Sequence, residues 1–163
     1  MSGGLTEEDL FYARVVAALA DAGRTTTPDA SARTVDVGSD LPGGRVLAVV
    51  RPAARAVSFY AVQPTSVPAA SLAAVTELVT RANADLFVAA LELDLARATV
   101  AARTAVVLGE LDPPDDALGH LLATALEEAE RALTTYTPAL EAVVTGTSPA
   151  QSAADAYRRA LAL

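Results

Sequence analysis

Apolar positions recur along this chain with two periods, and the switches between them divide it into elements. From Thr6 the pattern is helical: Thr6 is a cap, Glu7, Glu8 and Asp9 fill the first turn, and Leu5 is placed to staple onto Leu10. Phe11, Val15, Ala18, Leu19 and Ala22 then form one stripe that stops at Gly23. The Thr-rich stretch Arg24 to Ser31, with Pro28, reads as a loop into a strand over Arg33 to Val37. After the turn Leu41-Pro42-Gly43-Gly44, the run Arg45 to Arg51 is apolar on both faces and reads as a central strand. Arg55 to Val62 alternates Val57, Phe59 and Ala61 against Ala56, Ser58 and Tyr60, and should return on it as a hairpin.

The helical period resumes at Pro68, with Leu72, Val75, Leu78, Val79 and Ala82 in a stripe that Asn83 closes, a residue tolerant of the left-handed cap conformation. A second hairpin is expected from Leu86 to Leu95 and Thr99 to Leu108. Its first strand would place Phe87, Ala89, Leu91, Leu93 and Leu95 on one face and Glu92 and Asp94 on the other. Asp112-Pro113-Pro114-Asp115-Asp116 opens a long helix through Leu118, Leu121, Leu122, Leu126, Leu133 and Tyr136, which Pro138 should kink or break. A shorter piece through Leu140, Val143 and Val144 ends at Gly146, and Ser148 to Gln151 has the capping-box form of a last helix. The expected architecture is one α+β domain over residues 1–163, in the order α-β-β-β-α-β-β-α-α, with a mainly antiparallel five-stranded sheet packed with helices.

Composition narrows what such a domain can do. With 163 residues the chain can bury a core without disulfides, and it has no cysteine, so thiol nucleophiles and cysteine metal sites are excluded. The apolar fraction is 52%, but it is mostly Ala and Val in short runs too brief to span a bilayer. Neither a secretory signal nor a membrane partner is expected, which points to the cytoplasm. All twelve basic residues are Arg and the net charge is −8, so nucleic acid is not an expected partner.

Candidate chemistry is sparse. His120 is the sole histidine and sits beside Leu121 and Leu122 in a helical pattern, where a surface or boundary role outweighs catalysis. Asp112, Asp115 and Asp116 lack the spacing of a calcium loop, and acidic residues are expected at a helix start. Gly3-Gly4 and Gly43-Gly44 read as turns, since no Lys follows as in a phosphate loop. No catalytic, metal or cofactor-binding residue is expected, and the chain is not read as an enzyme.

Several segments together resemble the YbjN family, whose fold is similar to that of type III secretion chaperones. They are the strand Val57-Ser58-Phe59-Tyr60-Ala61-Val62, the helix end Leu78-Val79-Thr80-Arg81-Ala82-Asn83, and the hairpin from Leu91-Glu92-Leu93-Asp94 through Val100 to Arg103. Tyr136-Thr137-Pro138-Ala139-Leu140 and Val143 to Pro149 complete the series. The resemblance implies a five-stranded antiparallel sheet with helices against it, no catalytic residues, and a binding or regulatory role. The leading expectation is a non-enzymatic, chaperone-like or regulatory module that binds a protein partner through a sheet face or edge and forms a homodimer; Val46, Ala48 and Val50 are the candidate surface. The alternative is a ligand sensor with a pocket between sheet and helices walled by Phe59, Tyr60 and Tyr136.

Overall fold

The computed structural model describes residues 6–161. The predicted staple by Leu5 and the turn at Gly3-Gly4 lie outside the described residues. Helix α1 (Glu7–Asp21) starts as its sequence dictates: the Asp9 amide donates to Thr6 Oγ1 at 3.1 Å, and the Thr6 amide donates back to the Asp9 carboxylate at 3.0 Å. Strands β1 (Thr26–Asp29), β2 (Thr34–Val37), β3 (Arg45–Arg51) and β4 (Ala56–Val62) follow as a meander. Helix α2 (Leu72–Asn83) then leads to β5 (Ala90–Asp94) and β6 (Thr99–Val107), and α3 (Asp115–Val144) and α4 (Ala150–Leu161) complete the chain.

All strand pairs are antiparallel, in the spatial order β1-β2-β3-β4-β6-β5. The sheet thus has six strands rather than the expected five. The additional one is β1, which lies within the stretch read as a loop because of its threonines and Pro28. It is an edge strand, where a residue without an N–H is tolerated, and Pro28 pairs with Val35 across the ladder. The β3–β4 hairpin forms as expected, with Ala48 opposite Phe59 and Leu47 opposite Tyr60.

One face of the sheet carries the core. Val35, Val37, Val46, Ala48, Val50, Val57, Phe59, Ala61, Leu91, Val100 and Ala102 are buried in one cluster with Val15 and Leu19 of α1, Leu78 of α2, and Leu118, Leu122, Leu126, Leu133 and Leu140 of α3. Helix α3 lies along β4 and β6 and carries most of this cover. Thr104, the buried polar side chain of this face, donates to the Ala125 carbonyl at 2.7 Å. Gly119 lies where α3 meets α1, and a Cβ there would touch the Ala18 carbonyl oxygen at 3.4 Å.

Two local expectations are corrected. Helix α3 runs unbroken through Pro138. Proline removes the bond to the Thr134 carbonyl, but both residues are exposed, so water can serve that carbonyl while buried Leu133, Tyr136 and Leu140 hold the helix in place. The first strand of the second hairpin starts at Ala90, not Leu86. The amides of Asp85 and Leu86 both donate to the Ala82 carbonyl and prolong the helix end. Phe87 is consequently 99% exposed, and Leu95, just past the other end of β5, is also at the surface rather than on the face expected for both.

Among the described residues, no helix is long and apolar enough to cross a membrane.

Candidate binding face

A strand buries alternate side chains, so the residues between the core positions define the second face of the sheet. Ladder register sorts them into transverse rows. Asp36, Leu47, Tyr60, Arg103 and Ala90 form one row, Arg45, Val62, Ala101 and Glu92 the next, and Thr34, Val49, Ser58 and Ala105 a third. Every residue of these rows is partly or fully exposed, in contrast to the buried positions that alternate with them. The helices therefore cover one face of this sheet and leave the other open.

The open face has an apolar centre and a charged frame. Leu47, Val49, Tyr60, Val62 and Ala101 occupy the middle three strands. On one side, Arg45 donates to both oxygens of Asp36 at 2.5 and 2.6 Å; on the other, Arg103 pairs with Glu92. Each guanidinium has its pKa pushed up chiefly by its hydrogen-bonded carboxylate, and Asp36 is held below the usual carboxylate range by Arg45.

Both sheet edges are obstructed. The β1 edge carries Pro28, which cannot donate to an added strand. At β5, the Asn83 side chain takes the place of a further strand: its Nδ2 donates to the Leu91 carbonyl at 2.9 Å, and the Leu91 amide donates to its Oδ1 at 2.7 Å. Asn83 does close α2, but its backbone is not left-handed, and its distinctive contribution is this side-chain pairing.

The structure separates the residues singled out from sequence. Val46, Ala48 and Val50 point into the core, so the surface of β3 is instead Leu47 and Val49, one residue out of register with the expectation. Because β3 is apolar on both sides, alternation could not tell its faces apart. A usable signal was present in Arg45 and Arg51, which share parity with Leu47 and Val49 and mark the side open to water. Phe59 and Tyr60 face opposite sides of the sheet, and Tyr136 is buried on α3, so these three do not wall a common pocket. Tyr136 stacks on Tyr157 of α4, with ring centroids 4.9 Å apart, and its buried hydroxyl has no hydrogen-bond partner among the described residues.

His120 is exposed on α3. Asp112 and Asp115 are engaged by Arg14 at 2.6 and 2.7 Å, with Arg55 reaching Asp112 at 2.9 Å. These contacts tie the start of α3 to α1 and hold the Asp112 carboxyl below its ordinary range, through Arg14 first and Arg55 second. The cluster is a structural clamp. Among the described residues, no group of three or more acidic or histidine side chains could hold a metal ion.

The fold is an α+β domain with helices packed on one side of an antiparallel sheet whose other face is open. The chain belongs to the YbjN family: residues 12–136 match the family model described as "Putative bacterial sensory transduction regulator". Among solved structures it is similar to YbjN from E. coli, described as "a putative transcription regulator". Identity is 9% with a TM-score of 0.58, over 76% of this chain and 89% of that one, a likeness of fold. No curated protein matches the sequence.

Proposed function

We propose that this protein is a non-catalytic regulatory domain that acts in the cytoplasm by binding a protein through its open sheet face, in the manner of a chaperone-like module. The observation that carries the reading is the open face itself: an apolar centre of Leu47, Val49, Tyr60 and Val62 framed by two Arg–carboxylate pairs. Specific interfaces have this composition, with aromatic and aliphatic anchors inside and charge at the rim. The obstructed edges favour face-on docking over strand addition. The family's description as a regulator accords with such a role.

A photo-cross-linking amino acid at position 60, with position 120 on exposed α3 as control, tests the reading in living cells. Protein adducts should form from position 60 and not from position 120. Absence of any protein adduct from position 60 would overturn it.

A further inference from the structure

We infer that the groove where the start of β3 and the end of β4 meet α3 is a binding site for a small organic cation, a protonated amine carried on an apolar body. This site is separate from the open face. Its walls are the turn over residues 41–44 before β3, the segment over residues 63–65 after β4, and the turn of α3 that contains Pro138. The groove has a volume of about 360 Å³, and a side cavity of about 100 Å³ continues it past Gln63 and Glu141 towards Val67 and Val144. Together they fall in the size range of small-molecule sites.

The chemistry of the walls is one-sided. Leu41, Pro42, Pro64, Leu133 and Pro138 supply apolar surface. The three prolines among them have no N–H, so the backbone at those positions offers acceptors without donors. Pro138 has a second effect: it removes the donor that would serve the Thr134 carbonyl, and Thr134 itself lines the groove. Glu141 follows Thr134 by about two turns on the same side of α3. Helical carbonyls point towards the C-terminus and helical side chains lean towards the N-terminus, so the Thr134 carbonyl and the Glu141 carboxylate converge on the Pro138 turn. Among the described residues, the Glu141 carboxylate has no hydrogen-bond or ion-pair partner, and no arginine lines the groove. The Thr137 hydroxyl is already engaged, donating to the Leu133 carbonyl at 2.8 Å and to Gln63 Oε1 at 3.3 Å. A negative charge and a carbonyl are left to be served, and an ammonium, with its positive charge and three donors, serves both. The net charge of −8 favours the approach of a cation.

The walls are fixed before any ligand arrives. The Gly44 amide closes the first turn on the Leu41 carbonyl at 3.0 Å, and a Cβ at Gly44 would fall 2.6 Å from Leu41 Cβ, so this turn requires glycine. The Gln63 amide donates to the Val100 carbonyl at 2.9 Å and anchors the second wall. A proline inside a long helix destabilises it, and a groove that uses the freed carbonyl gives that cost a role.

Phenethylammonium is the probe and neutral phenethyl alcohol its matched control, each titrated into the isotope-labelled full chain and followed by amide NMR shifts. Saturable shifts are expected from the amine at Gly44, Thr65 and Glu141, with the alcohol binding about 10-fold more weakly through loss of a charge-assisted contact. Glu141→Gln should weaken the amine by about 10-fold and leave the alcohol unchanged. Glu110→Gln makes the same change of net charge at an exposed position away from the groove and should do neither. Pro138→Ala separates binding from stability: by returning an N–H to the Thr134 carbonyl it should stabilise the helix yet weaken the amine by about 3-fold or more. Shifts that fail to saturate by about 50 mM, equal affinity for the alcohol, or unchanged amine binding in either groove variant would overturn the inference. Glu141 is exposed, so Glu141→Gln keeps the test decisive if Pro138→Ala alters the fold. Failure here leaves the open-face reading standing, since cross-linking from position 60 tests that face separately.

Discussion

Asp9 carries more of the architecture than its place in an exposed first turn suggests. It accepts from the Thr6 amide and hydroxyl, and its other oxygen accepts from Arg33 Nη2 at 2.6 Å, joining the start of α1 to the β1–β2 turn. Arg33 reaches it from a left-handed backbone (φ 54°) and lies 5.5 Å over the Tyr12 ring, whose hydroxyl donates to the Thr34 carbonyl. These contacts, Arg33 first, lower the Asp9 pKa from 3.8 to about 2. The native state thus binds fewer protons than the unfolded chain, so the contribution of Asp9 is complete above pH 3.8 and is lost as pH falls towards 2. Asp9→Asn should flatten that part of the acid limb in urea unfolding midpoints measured from neutral pH down to about 2. A limb as steep as in the wild type would count against it. The Tyr136 hydroxyl is the converse case, a buried polar atom with no partner among the described residues, and burial pushes its pKa up. Tyr136→Phe should leave stability unchanged or raise it by about 1 kcal/mol in equilibrium unfolding, because it removes an uncompensated desolvation cost. The cap at Thr6 was legible in sequence because capping is local; the Arg33 partner, distant in the chain, was not.

The same division between local and distant causes governs the elements. Stripes at helical spacing marked the first three helices, a capping box marked the last, and turn residues marked the β3–β4 hairpin, because those signals lie within a few residues of each other. Strand β1 was missed since its pairing with β2, not its composition, makes it a strand, and the start of β5 was misplaced since Asn83 fixes it from across a loop. Asn83→Ala should cost about 1–3 kcal/mol in chemical denaturation, because the Leu91 amide and carbonyl lose both partners. It should also raise hydrogen exchange at the Leu91 amide, and unchanged exchange there would refute the edge-sealing role. Pro138 offers a gain in place of a loss. Since α3 is already helical on both sides of it, Pro138→Ala restores the bond to the Thr134 carbonyl and should stabilise the fold by about 1–3 kcal/mol. A thermal midpoint that stays put or falls would show that the proline is accommodated at no cost.

At the scale of the whole molecule, the class α+β, the antiparallel sheet and the family were legible in sequence, while the identity of the open face was not. The reason lies in β3: with Val46, Ala48 and Val50 on one side and Leu47 and Val49 on the other, hydrophobicity alone gives both faces equal claim. The parity of Arg45 and Arg51 hints at the side open to water, and the packing of α3 over β4 and β6 decides it. The face proposed to bind therefore emerges with tertiary structure.

That dependence has a kinetic side. The four strands of the meander are sequential neighbours and can pair as they leave the ribosome, but the second neighbour of β4 is β6, made only after α2 and β5, and the cover over Phe59 is α3, later still. A nascent chain halted before β6 would carry β4 as an unpaired edge and a sheet apolar on both sides. Such a species is prone to associate wrongly. Translation pauses between the codons for Val62 and Thr99 should accordingly lower the yield of folded protein more than pauses elsewhere.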